Sequence, residues 1–205
     1  MVCERPLKGA ARDAPNPWRK RGQEDMDESM SASMQEQWTS WPPPHRRAWT
    51  AIDFRFHTGE VFPALPLSFL TIGRPSGEPV LVLHGSNATA DSLMTPSFAG
   101  ELFGPGQPLD AERYFIVVPD AIGLGGSAKP SDGLRARFPK YNYDDMVDAQ
   151  YRLVTEHLDI DHFRLIIGTS MGGMHCWVWA CAIPILWTHW SPSPANQRQW
   201  LAATK

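Results

Sequence analysis

The chain of 205 residues contains only three cysteines, Cys3, Cys176 and Cys181. Their number and spacing exclude a disulfide framework or a zinc site and fit reduced thiols. A basic excess is also lacking. The 19 Lys and Arg are outnumbered by 22 Asp and Glu, giving a formal net charge of -3, which speaks against a nucleic-acid partner. No long hydrophobic run exists. The longest apolar stretch, Cys176 to Trp187, is too short to span a bilayer, and Pro184 interrupts it. The first 30 residues carry scattered charge and no apolar core segment, so neither a secretory signal nor a membrane partner is expected, and the location is read as cytoplasmic. One further absence is local. Asp161 is the last acidic residue, so the final 44 residues hold no carboxylate side chain. Tryptophans crowd the same region, at positions 177, 179, 187, 190 and 200.

What is present is a soluble globular composition, 42% hydrophobic and 20% charged, at a length that suits one domain. Residues 1–50 hold Pro15, Pro17 and the run Pro42-Pro43-Pro44 without helical or strand period, and read as an extended or disordered arm. The cluster Arg19-Lys20-Arg21 within it fits a localisation or anion-binding patch, but reads in preference as a solvated tail. From Ile52 the pattern changes. Alternation over Asp53 to Phe56, the segment Leu65 to Ile72 ended by Gly73, and apolar runs over Val80 to Leu83, Tyr114 to Val118 and Phe163 to Ile167 predict strands. Helices are predicted over Asp91 to Phe103 and Asp144 to Leu158. In the second, Val147, Tyr151, Val154 and Leu158 share a face and Asp144 is the expected cap. Uniformly apolar strands alternating with helices imply an α/β fold: a mostly parallel sheet with helices on both faces, its ligands beyond the carboxyl ends of the strands.

Three segments could carry chemistry. Gly168-Thr169-Ser170-Met171-Gly172, followed by Gly173, fits G-x-S-x-G. A chain of this length matches that pattern by chance roughly one time in 15, so the motif alone is weak. Its position after a buried strand and before a helix is what a nucleophile elbow requires. Ser170 is then the candidate nucleophile on a strained turn. His84-Gly85-Ser86-Asn87 follows an earlier strand, where such a site draws a backbone N–H for an oxyanion. The expected donors are the amides of Met171 and Ser86, with His84 bracing the loop. Asn87-Ala88-Thr89 also fits a glycosylation sequon, which nothing else in the chain supports. Third, Gly123-Leu124-Gly125-Gly126-Ser127-Ala128 fits the loose dinucleotide fingerprint G-x-G-x-x-A, but Lys129-Pro130-Ser131-Asp132-Gly133 continues it as a loop instead of a helix, which disfavours a dinucleotide-binding module.

At FRFHTGEV, PVLVLHG, AGELFGPGQPLDAERYFIVVPDAIGLGGSAKPSDGLRARFPKYNYDDMVDAQYRLV and GTSMGGMH the chain resembles the α/β-hydrolase superfamily, and within it the homoserine O-acetyltransferase-like proteins. The likeness runs from about Ile52 to Trp179. It implies acyl transfer through an acyl-serine at Ser170, on a small-molecule acyl substrate. Acetyl-CoA or another acyl donor would serve as substrate, with no bound cofactor or metal, and an alcohol or water would be the acceptor.

The chain departs from that pattern after the elbow. The superfamily orders its triad as serine, then Asp or Glu, then His. The residues after Ser170 include His175 and His189 but no Asp or Glu. His175 lies close behind the elbow on the helix leading away, and nothing places His189 at the end of a strand. The expected organisation is an arm over 1–50, the N-terminal portion of an α/β-hydrolase domain over 51–179 with its C-terminal strands missing, and an atypical tail over 180–205. That tail reads as a shifted frame of the same gene. Joining the last base of each codon to the first two of the next gives Gly at Trp179/Ala180, Asp at Trp187/Thr188 and Leu at His189/Trp190, whatever the codons. With permitted choices elsewhere the shifted frame spells GxRYPDFMDALVPLACQPTAMAGRN, which resembles the segment after the elbow helix in this family. Two functional classes remain open: an acyltransferase or ester hydrolase working through Ser170, and a catalytically poor truncated chain that binds ligands or partners.

Overall fold

The structure is a computed structural model, which describes residues 41–183 and 190–192. The expectations for residues 1–40 and for most of the tail beyond 183 lie outside those residues. Six strands form one sheet in the order β1-β2-β4-β3-β5-β6. They are β1 (His45–Arg55), β2 (Val61–Ile72), β3 (Glu78–Leu83), β4 (Tyr114–Pro119), β5 (Leu165–Gly168) and β6 (Trp190–Pro192). β1 and β2 form an antiparallel hairpin, and β2 joins β4 antiparallel. β3 then pairs parallel with both β4 and β5, and β6 parallel with β5. The sheet is therefore mixed on the hairpin side and parallel where the apolar runs predicted it.

Alternate residues of the central strands go to opposite faces. Leu81, Leu83, Phe115 and Val117 join one buried cluster, and Val80, Val82, Ile116 and Val118 join the other. Both faces are covered, which is why these strands read as unbroken apolar runs. The first face is covered by α2 (Tyr143–Arg152), the π-helical turn Leu153–His157 that continues it, and α3 (Met171–Ala182), through Val147, Leu153, Val154, Cys176 and Trp179. The second is covered by the chain between β3 and β4, which includes the short helix α1 (Ala99–Leu102), through Leu93, Ala99 and Phe103. Among the described residues no helix is long and apolar enough to cross a membrane.

Three local expectations change. The helix expected over 91–103 breaks into a 3-10 turn, Asp91–Leu93, and α1. Pro96 accounts for the break, since it has no amide to donate and disfavours helical backbone at the residue before it. The cap of α2 is Asn142, not Asp144. The Asn142 side chain accepts from the Asp145 amide at 3.1 Å while Asp145 accepts from the Asn142 amide at 2.9 Å, a reciprocal capping box. β1 starts at His45, inside the stretch expected to be an arm.

Candidate active site

The parallel register sets β3 beside β5 so that Leu83 is level with Gly168, and the two loops that leave these strands start side by side. After β3 the chain turns to one face of the sheet, and after β5 to the other, onto α3. Such a divergence, beyond the carboxyl ends of the strands, is where ligands of such sheets bind.

Ser170 stands at the corner between β5 and α3 with φ 51° and ψ -117°, and its side chain is exposed. A positive φ is costly for a residue with a β-carbon, and it persists only where the surroundings enforce it. Here they do so by close contact. A β-carbon on Gly168 would lie 2.2 Å from the Gly172 carbonyl carbon, and one on Gly172 would lie 2.2 Å from the Leu83 carbonyl oxygen. Two glycines thus let strand, turn and helix pass at backbone contact, and the turn lifts Ser170 out of the packed layer. A β-carbon on Gly85 would lie 3.3 Å from that of Ser170, which brings the loop after β3 against the serine.

That loop carries Ser86, which is exposed. Neither the Ser86 amide nor the Met171 amide, the first of α3, takes part in a hydrogen bond among the described residues. Both are therefore available to a ligand beside Ser170. A helix amino terminus also favours negative charge.

His84 is occupied, as expected for a bracing residue. It is buried, its Nε2 accepts the Ala121 amide at 3.0 Å, and its Nδ1–H donates to the Gly85 carbonyl at 2.8 Å. These partners occupy both ring nitrogens and leave none for Ser170. His175 is also buried and committed. Trp179 Nε1 donates to Gln150 Oε1 at 3.0 Å, which turns the Gln150 amide nitrogen toward His175 Nδ1 at 3.3 Å. Nδ1 therefore accepts, and the proton sits on Nε2, which has no hydrogen-bond partner among the described residues. Burial, reinforced by nearby His84, pushes the His175 imidazole down to about 4. It is neutral at physiological pH. A third histidine does have a carboxylate: His57 Nδ1 meets Asp145 Oδ2 at 2.6 Å. Asp145, however, is two residues from Tyr143 on α2, about 200° around the helix. It is Tyr143 that touches His175 on α3, with ring centroids 5.2 Å apart. The His57–Asp145 pair ties the β1–β2 hairpin to α2.

The glycine-rich segment 123–128 does not open a helix and instead wraps a carboxylate. Asp120, at the end of β4, is buried. Its Oδ1 accepts the Ala90 amide at 2.7 Å, and its Oδ2 accepts the Gly126 amide and Arg46 Nη1, each at 3.0 Å. A β-carbon on Gly125 would lie 2.3 Å from the Asp120 carboxyl carbon, so glycine is required by that embrace. Ser127 Oγ donates to the Asp120 carbonyl at 2.7 Å and accepts the Ser68 amide at 3.0 Å. Arg46 further donates to Ser68 Oγ at 2.5 Å and pairs with Asp91. Burial pushes the Asp120 carboxyl up, but the two amides and the guanidinium outweigh it and hold it below the usual carboxylate range. Sequence reasoning missed Arg46, Asp91 and Asp120. The one available signal was an acidic residue ending a buried strand, at Pro119-Asp120.

Residues 78–186 match the family described as alpha/beta hydrolase fold. The homoserine O-acetyltransferase of Thermobifida fusca (strain YX) is 32% identical over 192 residues, which are 80% of this chain and 50% of that relative. The probable acyltransferase of Methanothermobacter thermautotrophicus is 32% identical over 140 residues, 64% of this chain and 42% of its own length. Among solved structures, the homoserine O-acetyltransferase from Staphylococcus aureus superposes with a TM-score of 0.61 at 22% identity, covering 72% of this chain and 46% of that one. An acetylester hydrolase from Corynebacterium glutamicum gives 0.64 at 23% identity, covering 72% and 43%. The two structures share the fold. The chain spans about half the length of the curated relatives it matches.

Proposed function

The chain belongs to the alpha/beta hydrolase fold family, and from that premise we propose that it transfers an acyl group through an ester on Ser170. The observation that carries this reading is the strained, exposed Ser170 at φ 51°, flanked by the unengaged amides of Ser86 and Met171. Ser170 Oγ attacks the acyl carbonyl carbon. The carbonyl π pair moves onto its oxygen, which the two amides receive as an oxyanion. The pair returns, the donor's leaving group departs with the proton that Ser170 released on attack, and an acyl-serine remains. The acceptor then attacks the same carbon and frees Ser170. Relatives named homoserine O-acetyltransferase point to an acetyl group and an alcohol acceptor, and the proposed donor is acetyl-CoA or another acyl donor. A structural neighbour named acetylester hydrolase points to water.

A full cycle also needs a base to take the Ser170 proton and a carboxylate to orient that base. Both ring nitrogens of His84, and Nδ1 of the buried His175, are held by other partners. The described residues thus carry the nucleophile and its oxyanion donors, while neither His84 nor His175 serves as the base, so acylation and the return of the acyl group are both expected to be slow.

Incubation with p-nitrophenyl acetate tests both points. The expected result is a burst of one equivalent of nitrophenol, acetyl on the peptide containing Ser170 by mass spectrometry, and a slow steady rate afterwards. Ser170→Ala abolishes the burst. Acetylation at another residue, or none, overturns the nucleophile. A fast steady rate that needs Ser170 overturns the slow turnover and assigns the base to a group other than His84 and His175.

A further inference from the structure

We infer that Asp120, gripped by Arg46, is a positioning residue that sets the Ser86 amide in the oxyanion hole; this rests on the acyl-serine reading of Ser170. Two consecutive residues at the end of β4 hold both ends of the loop that carries Ser86. At the near end, the Ala121 amide donates to His84 Nε2 at 3.0 Å. At the far end, Asp120 Oδ1 accepts the Ala90 amide at 2.7 Å. Beside the far anchor Thr89 is tied to Ser92 through its amide and its carbonyl, and between the two anchors the loop has one backbone bond within it, Ala88 N–H to Gly85 carbonyl at 3.1 Å. Ser86 sits inside that short turn, so its amide goes where the anchors put it.

Arg46 braces the far anchor from the edge strand β1. Its guanidinium bridges Asp120 and Asp91, and Asp91 directly follows Ala90. Asp120 uses both oxygens as acceptors, for Ala90 on one side and for Gly126 and Arg46 on the other. An amide in its place would turn an NH2 group against a donor on one of those sides. An aspartate is therefore required, although it touches no reacting atom. Displacing a positioned donor by about 1 Å is enough to cost on the order of a hundredfold in rate.

The test compares wild type with Asp120→Asn, Arg46→Met and Arg46→Lys, using p-nitrophenyl acetate and its thiono analogue. Sulfur is a poor acceptor for the oxyanion amides, so the ester-over-thionoester ratio of acylation rates reports the hole itself. Asp120→Asn and Arg46→Met are expected to lower the acylation rate at saturating ester about tenfold or more, with half-saturation unchanged. The ratio falls toward one, and Arg46→Lys recovers most of both. A purely structural weakening would lower the burst amplitude and leave the ratio intact. The side chain of Arg46 is 40% exposed, so Arg46→Met decides the question should Asp120→Asn not fold. Wild-type rate and ratio in folded Arg46→Met overturn the positioning role alone. A wild-type chain not acylated at Ser170 overturns the acyl-serine reading, and the positioning role with it.

Discussion

A β-carbon on Gly172 would stand 2.2 Å from the carbonyl oxygen of Leu83, so the first turn of α3 rests on the backbone of β3 with no room for a methyl group. Gly172→Ala must push helix and strand apart, and overpacking of that kind costs about 1–3 kcal/mol. Gly59 provides the contrast. Its φ is +84°, but a β-carbon there meets nothing within 4 Å, so Gly59→Ala carries only backbone strain, about 1 kcal/mol. Denaturant midpoints should fall further for Gly172→Ala than for Gly59→Ala. Ser170 acylation should be lost only in Gly172→Ala. Equal midpoints would remove close packing as the reason for glycine at the elbow.

His175 makes stability depend on pH in a window set by its burial. Its imidazole is pushed from the ordinary 6.5 down to about 4, by burial first and by His84 second. Above pH 6.5 folded and unfolded chains are both neutral at this residue, and it contributes no slope. Between 6.5 and about 4 the unfolded chain binds a proton that the folded chain refuses. Stability therefore falls as pH falls, by an amount on the order of 3 kcal/mol across the window. Gln150, Tyr143 and His84 face the ring, and none of them is a carboxylate that could offset the charge. Urea unfolding from pH 7.5 to 4.5 should show this slope in wild type. His175→Gln should flatten it. An unchanged slope in the variant would place the titration elsewhere.

Much of this architecture is legible before folding because burial leaves a composition. β3, β4 and β5 are apolar on both faces and announce themselves. Gly168 and Gly172 flank Ser170 at the spacing that a strand-to-helix corner demands. What the sequence conceals is pairing over distance. His45, Arg46 and Arg47 read as part of an arm because an edge strand can be exposed on both faces and is held by backbone bonds to β2. Asp120 meets Ala90 and Arg46 across 30 and 74 residues, and no local pattern marks either contact. The glycine-rich loop is conspicuous, yet its reason, a carboxylate inside it, lies upstream at the end of β4. The helix expected over 91–103 is broken because Pro96 cuts it, and the cap of α2 falls at Asn142, ahead of the expected Asp144. Such losses concern turn chemistry and long-range polar contacts, which hydrophobic periodicity does not encode.

Two thiols on α3 should differ sharply in reactivity for a physical reason visible in the packing. Cys176 is buried within the cluster that holds Trp179, and burial pushes its thiol up to about 12 from 9.0. Its thiolate, the species that reacts, is rarer at pH 8 by about a thousandfold than for an ordinary thiol, quite apart from access. Cys181, near the end of the same helix, is exposed. Iodoacetamide at pH 8 followed by peptide mass mapping should show Cys181 alkylated while Cys176 stays intact. Cys176 should become reactive along the same urea curve that unfolds the chain, because reaching it requires α3 to leave the sheet. Equal alkylation of the two in buffer would mean that this face of α3 opens far below the global transition, and the close seat of the elbow on β3 would have to be given up with it.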